Sequence, residues 1–198
     1  MKKIAVILAM VAMVFFIDAC SSTRSTGSTG NSGTGTTSTG TNTAGENVGS
    51  TTTGASVNRE FVDNAASGGM MEVELGTIAL ERASSQEVKD LARHIMDDHT
   101  KANEQLKSIA AKENIPVPGV LKDDQRDNID KLSKLSGSDF DKEYVDLMVK
   151  DHKDDIKEFE DMAQNAQSPG LKAFAQQTLP VLKDHLQMAQ TVQSKLEK

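Results

Sequence analysis

From residue 57 to the end of the chain, apolar side chains recur every three to four residues, and no stretch alternates with period two. That period lines one stripe of an α-helix and leaves a β-sheet no face to bury. The pattern predicts an all-α domain, and its punctuation divides it into helices. The first long helix spans 57–83 and is stopped by Ser84-Ser85. Ser84 and Glu87 have the spacing of a capping box for a second helix over 86–113. The run Asn114-Ile115-Pro116-Val117-Pro118-Gly119 ends that helix. A short helix over 122–135 shows Ile129, Leu132 and Leu135 on one side, and Ser136-Gly137 terminates it. A third long helix spans 139–166. Ser168-Pro169 then provides an N-cap and first-turn pair for a fourth, which runs to the C-terminus.

The connections within the first and last helix pairs are very short, so each pair is expected to form an antiparallel hairpin. The connection between the pairs is long and partly helical. Two hairpins joined by one long crossover is the ferritin-like arrangement of a four-helix bundle. Simple up-down connectivity, with the connection folded across one end, fits the same lengths. Pro180 lies well inside the fourth helix, where it removes one backbone hydrogen bond and predicts a kink about one turn before His185.

Each stripe contains a polar interruption. In the second helix it reads Val88, Leu91, Ile95, His99, Ala102, Leu106, Ile109. In the third it reads Val145, Val149, His152, Ile156, Phe159, Ala163. In the fourth it reads Leu171, Ala175, Thr178, Leu182, His185, Ala189, Val192, Leu196. The first helix runs Val62, Ala65, Gly69, Glu72, Gly76, Ala79, Ala83, with small residues that admit a close neighbour. Glu72, His99, His152 and His185 each fall near the midpoint of their helix. Midpoints coincide whichever way the helices run, so the expectation is a central layer of one carboxylate and three imidazoles. Three of the four histidines follow an aspartate directly: Asp98-His99, Asp151-His152 and Asp184-His185. Neighbours in a helix point about 100° apart. Asp98, Asp151 and Asp184 should therefore face adjacent helices or the edge of the layer, to orient imidazoles or to be solvated. His94 lies off the stripe, on the surface.

Three imidazoles and a carboxylate suit one ion of Zn, Fe, Mn or Cu. A di-iron centre needs Glu three residues before His on two helices, and those positions hold Met96, Val149 and Leu182. Ferroxidase and oxygenase chemistry is therefore disfavoured. Met96, Met148 and Met188 lie one turn from the histidines, as copper ligands or as core filler. A buried hydrogen-bonded layer without any ion accounts for the same residues, provided it is internally satisfied. No nucleophile constellation, phosphate loop or paired-carboxylate motif stands out, so no enzyme activity is read.

The chain opens with Lys2-Lys3 and an apolar run over 4–17, too short to span a bilayer and suited to a signal peptide. Ile17-Asp18-Ala19-Cys20 follows, and resembles a bacterial lipobox whose cysteine would be acylated and tie the protein to a membrane. Asp18 departs from that pattern, and plain secretion is the alternative. Residues 1–20 are thus read as a lipoprotein-type signal, and 21–56 as a Ser/Thr/Gly-rich disordered tether about 30–35 Å in reach. Residues 57–198 form the bundle domain. Cys20 is the sole cysteine, so no intrachain disulfide forms. The bundle carries 19 basic and 27 acidic residues with no basic stripe, which argues against nucleic acid as a partner.

Several motifs occur together in order: Phe61-Val62 with Ala65-Ala66, Gly69-Met70, Glu72-Val73-Glu74-Leu75-Gly76, and Ala79-Leu80. Then come Met96-Asp97-Asp98-His99-Thr100-Lys101-Ala102-Asn103, and Gly137 with Phe140-Asp141 and Tyr144. Val149-Lys150-Asp151-His152, Ala175, Thr178-Leu179-Pro180 and His185 complete the series. Over about 58–193 the chain resembles the bacterial family called domain of unknown function 4142. Members are often labelled outer-membrane proteins and are similar to ferritin-like bundles. The resemblance implies a helical bundle in the cell envelope, in the outer membrane or periplasm, and His99, His152 and His185 match the family's histidines. It implies no activity. Two functions follow: an envelope protein holding one transition metal, or a non-catalytic envelope module that binds another protein or protects the surface.

Overall fold

The computed structural model describes residues 48–198, with side-chain surroundings from Gly54 onward. The apolar run over 4–17, Cys20 and the tether as far as residue 47 lie outside the described residues. Five helices follow in order: α1 (Val48–Arg82), α2 (Gln86–Lys112), α3 (Asp123–Leu132), α4 (Gly137–Asn165) and α5 (Pro169–Leu196). No helix among the described residues is long and apolar enough to cross a membrane.

Two boundaries differ from the sequence reading. The first helix begins at Val48 rather than residue 57, so the end of the Ser/Thr/Gly-rich stretch is helical. Extending an existing helix forms one hydrogen bond per residue fixed, without the cost of nucleation, so weak helix formers can join a strong segment. The N-cap of α2 is Ser85, whose hydroxyl accepts from Val88 N, rather than Ser84. Ser84 is drawn elsewhere. Its backbone N–H donates to Asp141 at 3.0 Å and its hydroxyl donates to the same carboxylate, which also accepts from Ser85 N at 2.9 Å. Asp141 is buried in the first turns of α4. A side chain from a distant helix thus satisfies the turn between α1 and α2.

The helices form two hairpins. α1 packs along α2, and α4 along α5; across the bundle α2 meets α5 and α1 meets α4. The ring order is therefore α1, α2, α5, α4. Ala83, after α1, bridges to Gly137, the start of α4, so α4 begins at the end of the bundle where α2 begins. Ser168, the N-cap of α5, bonds Glu113 at the opposite end. All ring neighbours are antiparallel, and the link between the hairpins travels the bundle's length. This is the crossover topology; up-down connectivity is ruled out. α3 forms part of the link and lies on α1 and α4. Lys122 N donates to Ser67 Oγ at 3.2 Å, and Ser67 Oγ bonds Gln125. Gly137 has φ of +66°, a conformation that glycine adopts without a Cβ penalty.

The core is divided in two. One apolar cluster, around Met71, Leu75, Leu91, Ile95, Phe140 and Val145, fills the end near Ala83. The other, around Phe61, Val62, Leu106, Phe159, Leu171 and Phe174, fills the end near Glu113. The expected stripes are mostly buried, although Ala65, Ala102, Ile109, Ile156, Ala163 and Thr178 are only partly covered and Leu196 is exposed. The α1–α2 hairpin is tight at Gly76, where a Cβ would come within 2.9 Å of Met96 Cβ and 3.2 Å of Ala92 O. α5 runs through Pro180 without a break.

Candidate metal centre

Glu72, His99, His152 and His185 are all buried, and they meet. Glu72 Oε2 lies 2.9 Å from His99 Nδ1, and Glu72 Oε1 lies 3.4 Å from His152 Nδ1. His152 Nε2 stands 3.1 Å from His185 Nδ1. One nitrogen from each of the three rings lies within 4.8 Å of the other two. The layer expected from the midpoints is therefore present, sealed above and below by the two apolar clusters.

The outer ring nitrogens face oxygen acceptors. His152 Nδ1 is 3.0 Å from Met148 O, the carbonyl one turn earlier in its own helix. His185 Nε2 is 3.4 Å from Asp98 Oδ2 on α2. His99 Nδ1 faces Glu72. Rings that donate through these atoms are left with lone pairs on His99 Nε2, His152 Nε2 and His185 Nδ1. His99 Nε2 is buried without a hydrogen-bond partner, and so are both oxygens of Glu72, whose contact with His99 is close but poorly aligned.

Burial sets the charge state. It pushes His152 down to about 3, helped by His99 and His185, and His185 down to about 4, helped by His99. His99 is lowered by burial as well, against the pull of Asp155, Asp151 and Asp98. At neutral pH all three imidazoles are uncharged, the form that ligates metal. Burial, reinforced by Asp151, raises Glu72 well above the ordinary carboxylate range.

The aspartates diverge. Asp98 serves His185, as an orienting acceptor on an adjacent helix would, and is also bonded by Lys101 at 2.9 Å. Burial works against its charge, but those two donors hold its carboxyl below the ordinary value. Asp151 stands at the layer's edge, with a carboxylate oxygen within 4.8 Å of oxygens of Glu72 and Asp155. Asp184 is exposed on α5 and joins no group around the layer. Asp155 was not singled out from the sequence. Its signal was position, one turn after Asp151 and three residues after His152, but acidic residues crowd that stretch of α4. Tyr144 stands among the family's motifs but carried no role in the sequence reading. Its hydroxyl is buried and unpartnered, and its ionisation is opposed by burial and by Glu72.

His94 is exposed, as expected, yet its Nε2 is 3.8 Å from Asp98 and its ring 5.8 Å from that of His185. Met148 is core; Met96 packs on Gly76 and lies 3.7 Å from the Thr77 hydroxyl, and Met188 packs against the core. A cavity of about 170 Å³ between α2 and α5 reaches His99 and His185, with Asp98, Lys101, Gln105 and Gln177 on its walls. It provides an approach to the rings from solvent.

The fold recurs in solved structures. A DUF305 fragment from Deinococcus radiodurans superposes with a TM-score of 0.63 at 16% identity, over 70% of this chain and 96% of that one. A DUF305 protein from Streptomyces coelicolor, described as secreted, gives 0.61 at 16% identity, over 71% and 92%. At that identity the likeness concerns the fold alone. No curated protein matches the sequence. A family model, domain of unknown function (DUF4142), matches residues 43–192, and the chain belongs to that family.

Proposed function

We propose that the protein is an exported envelope protein whose bundle holds one transition metal ion on His99, His152 and His185, with Glu72 beside it. The observation that carries this reading is the pair of inward nitrogens on His152 and His185, 3.1 Å apart. When both rings donate through their other nitrogens, to Met148 O and Asp98, two lone pairs oppose one another across that distance, and a third ring stands next to them. Two neutral acceptors at hydrogen-bond distance repel unless a cation lies between them. Imidazoles oriented by a carbonyl or carboxylate on the far nitrogen are the usual arrangement of metal-bound histidine. Three such ligands and an oxygen suit Zn, and also Fe, Mn or Cu. The enclosing apolar clusters favour retention of an ion, as in storage or buffering.

Export and lipid anchoring are supported by the apolar run over 4–17 and the lipobox-like Ile17-Asp18-Ala19-Cys20. The neighbour described as secreted adds to this. Metabolic labelling with a fatty acid, lost in Cys20→Ala, would establish the anchor; unlabelled wild-type protein would leave simple secretion.

Metal analysis tests the centre. Chelator-stripped protein, reloaded and desalted, should keep about one equivalent of a transition metal. His99→Ala and His152→Ala should lose it with helicity intact. Failure to retain Zn, Fe, Mn or Cu would sink the proposal. It would favour instead a metal-free layer in an interaction module, in which the 3.1 Å contact is an imidazole–imidazole hydrogen bond.

A further inference from the structure

The carboxylates beside Glu72 act on His99 through their charge but are not among the grouped imidazole ligands. Asp151 and Asp155 project one turn apart from α4, and an oxygen of each lies within 4.8 Å of an oxygen of Glu72 on α1. Both aspartates are partly covered, and Glu72 is fully buried. Three carboxylates held together out of water repel one another, so a cluster of this kind is neutralised either by protons, towards which burial drives all three, or by a bound cation. Lys150 and His99 favour the charged form of Asp151, while burial, Asp154 and Asp124 oppose it. Burial, Glu72, Asp151 and Glu158 all oppose charge on Asp155, against the pull of His99. Lys122 acts on Glu158 and bonds Asn64.

The independent observation is Glu72 itself. Its side chain has no exposure, and neither oxygen has a well-aligned hydrogen bond, although His99 Nδ1 lies 2.9 Å from one and His152 Nδ1 3.4 Å from the other. A buried carboxyl loses its hydration and ordinarily recovers it from protein donors. Here the nearest donor, His99 Nδ1, is close but poorly aligned, and no other donor among the described residues makes up for it.

We infer that Glu72, Asp151 and Asp155 form a second cation site, an oxygen site for a hard divalent ion such as Mg, Ca or Mn(II), sharing Glu72 with the histidine centre. Carboxylates are the ligands these ions prefer, and an ion of that kind completes its shell with water. The two sites differ in ligand chemistry: nitrogen from α2, α4 and α5, oxygen from α1 and α4. Their separate chemistries allow two different ions to be held at once, with one carboxylate between them. The inference rests on the histidine reading only in that Glu72 is shared.

The test uses the full chain, stripped with chelator, loaded with one equivalent of Zn and then titrated with Mn(II). Free Mn is followed by electron paramagnetic resonance and both metals are counted after desalting. Wild type should take up about one Mn per Zn-loaded chain. Asp151→Asn/Asp155→Asn should weaken Mn uptake by roughly tenfold or more and leave Zn uptake unchanged. Asp155→Asn alone, a smaller change, should weaken Mn in the same sense. Wild-type protein without Mn uptake, or an unaltered Mn affinity in the Asn variants, would overturn the second site. Loss of Zn binding alone, with Mn binding kept, would overturn the histidine centre and uphold the oxygen site.

Discussion

An imidazole held below its free value of 6.5 binds fewer protons in the folded chain than in the unfolded one. His152, at about 3, and His185, at about 4, therefore contribute stability that is present above 6.5 and lost as pH falls toward those values. Glu72 and Asp155 act in the opposite sense. Their raised values mean stability that is present below 4.5 and 3.8 respectively, and lost as pH rises through the folded values. Thermal melts of the metal-free protein should show both arms. His152→Gln should remove part of the loss on the acid side, and Glu72→Gln part of the loss on the alkaline side. A His152→Gln profile parallel to wild type below 6.5 would contradict the buried neutral ring. The carboxylate and the histidines were readable in the sequence because each stands where helical spacing demands an apolar group. Asp155 was not, because charge on a solvated face and charge turned toward a neighbouring carboxylate look alike until the neighbour is placed.

Three of the helices, α1, α4 and α5, each have a position where one substitution tests the packing. Asp141 closes the turn between α1 and α2 from the start of α4, accepting two backbone N–H groups and a hydroxyl. Asp141→Ala removes the acceptor for these partly exposed donors and should cost about 1–2 kcal/mol in urea unfolding. Gly76→Ala should gain helix propensity but force α1 from α2 at Met96 Cβ, for a net loss of about 1–2 kcal/mol. Pro180 is exposed inside α5. Pro180→Ala restores a donor for Gln176 O and should stabilise by about 1–3 kcal/mol. Unchanged metal uptake in that variant would show that the proline shapes packing alone; weaker uptake would show that it sets the approach of His185. The helices themselves were legible because long periodic stripes survive small errors at their ends. The caps were less so: Ser84 and Ser85 are equivalent as N-cap candidates until Asp141 arrives from a distant segment and takes one of them.

Across the whole molecule the polar layer is a seam between two apolar clusters, and an ion would join them. At a free concentration a hundredfold above its Kd, a bound metal adds about 2.7 kcal/mol to stability. Zn should therefore raise the melting temperature of wild type, and should not do so when His99, His152 and His185 are all replaced by Ala. An equal rise in that variant would place the binding elsewhere. The connectivity between the hairpins was the part of the fold least legible in advance. The length of the link permitted a crossover, but only contacts far apart in sequence, Ala83 with Gly137 and Glu113 with Ser168, decide it. Those contacts also determine how the domain would bear load. α1 starts at one end of the bundle and α5 finishes at the other, where Lys195 lies 3.8 Å from Glu87. Tension between the two ends would act along the axis and shear α1 and α5 against their neighbours, straining many contacts at once instead of peeling them singly. Pulling on single molecules should give a high, abrupt rupture force, and a gradual unravelling would show that the hairpins separate first.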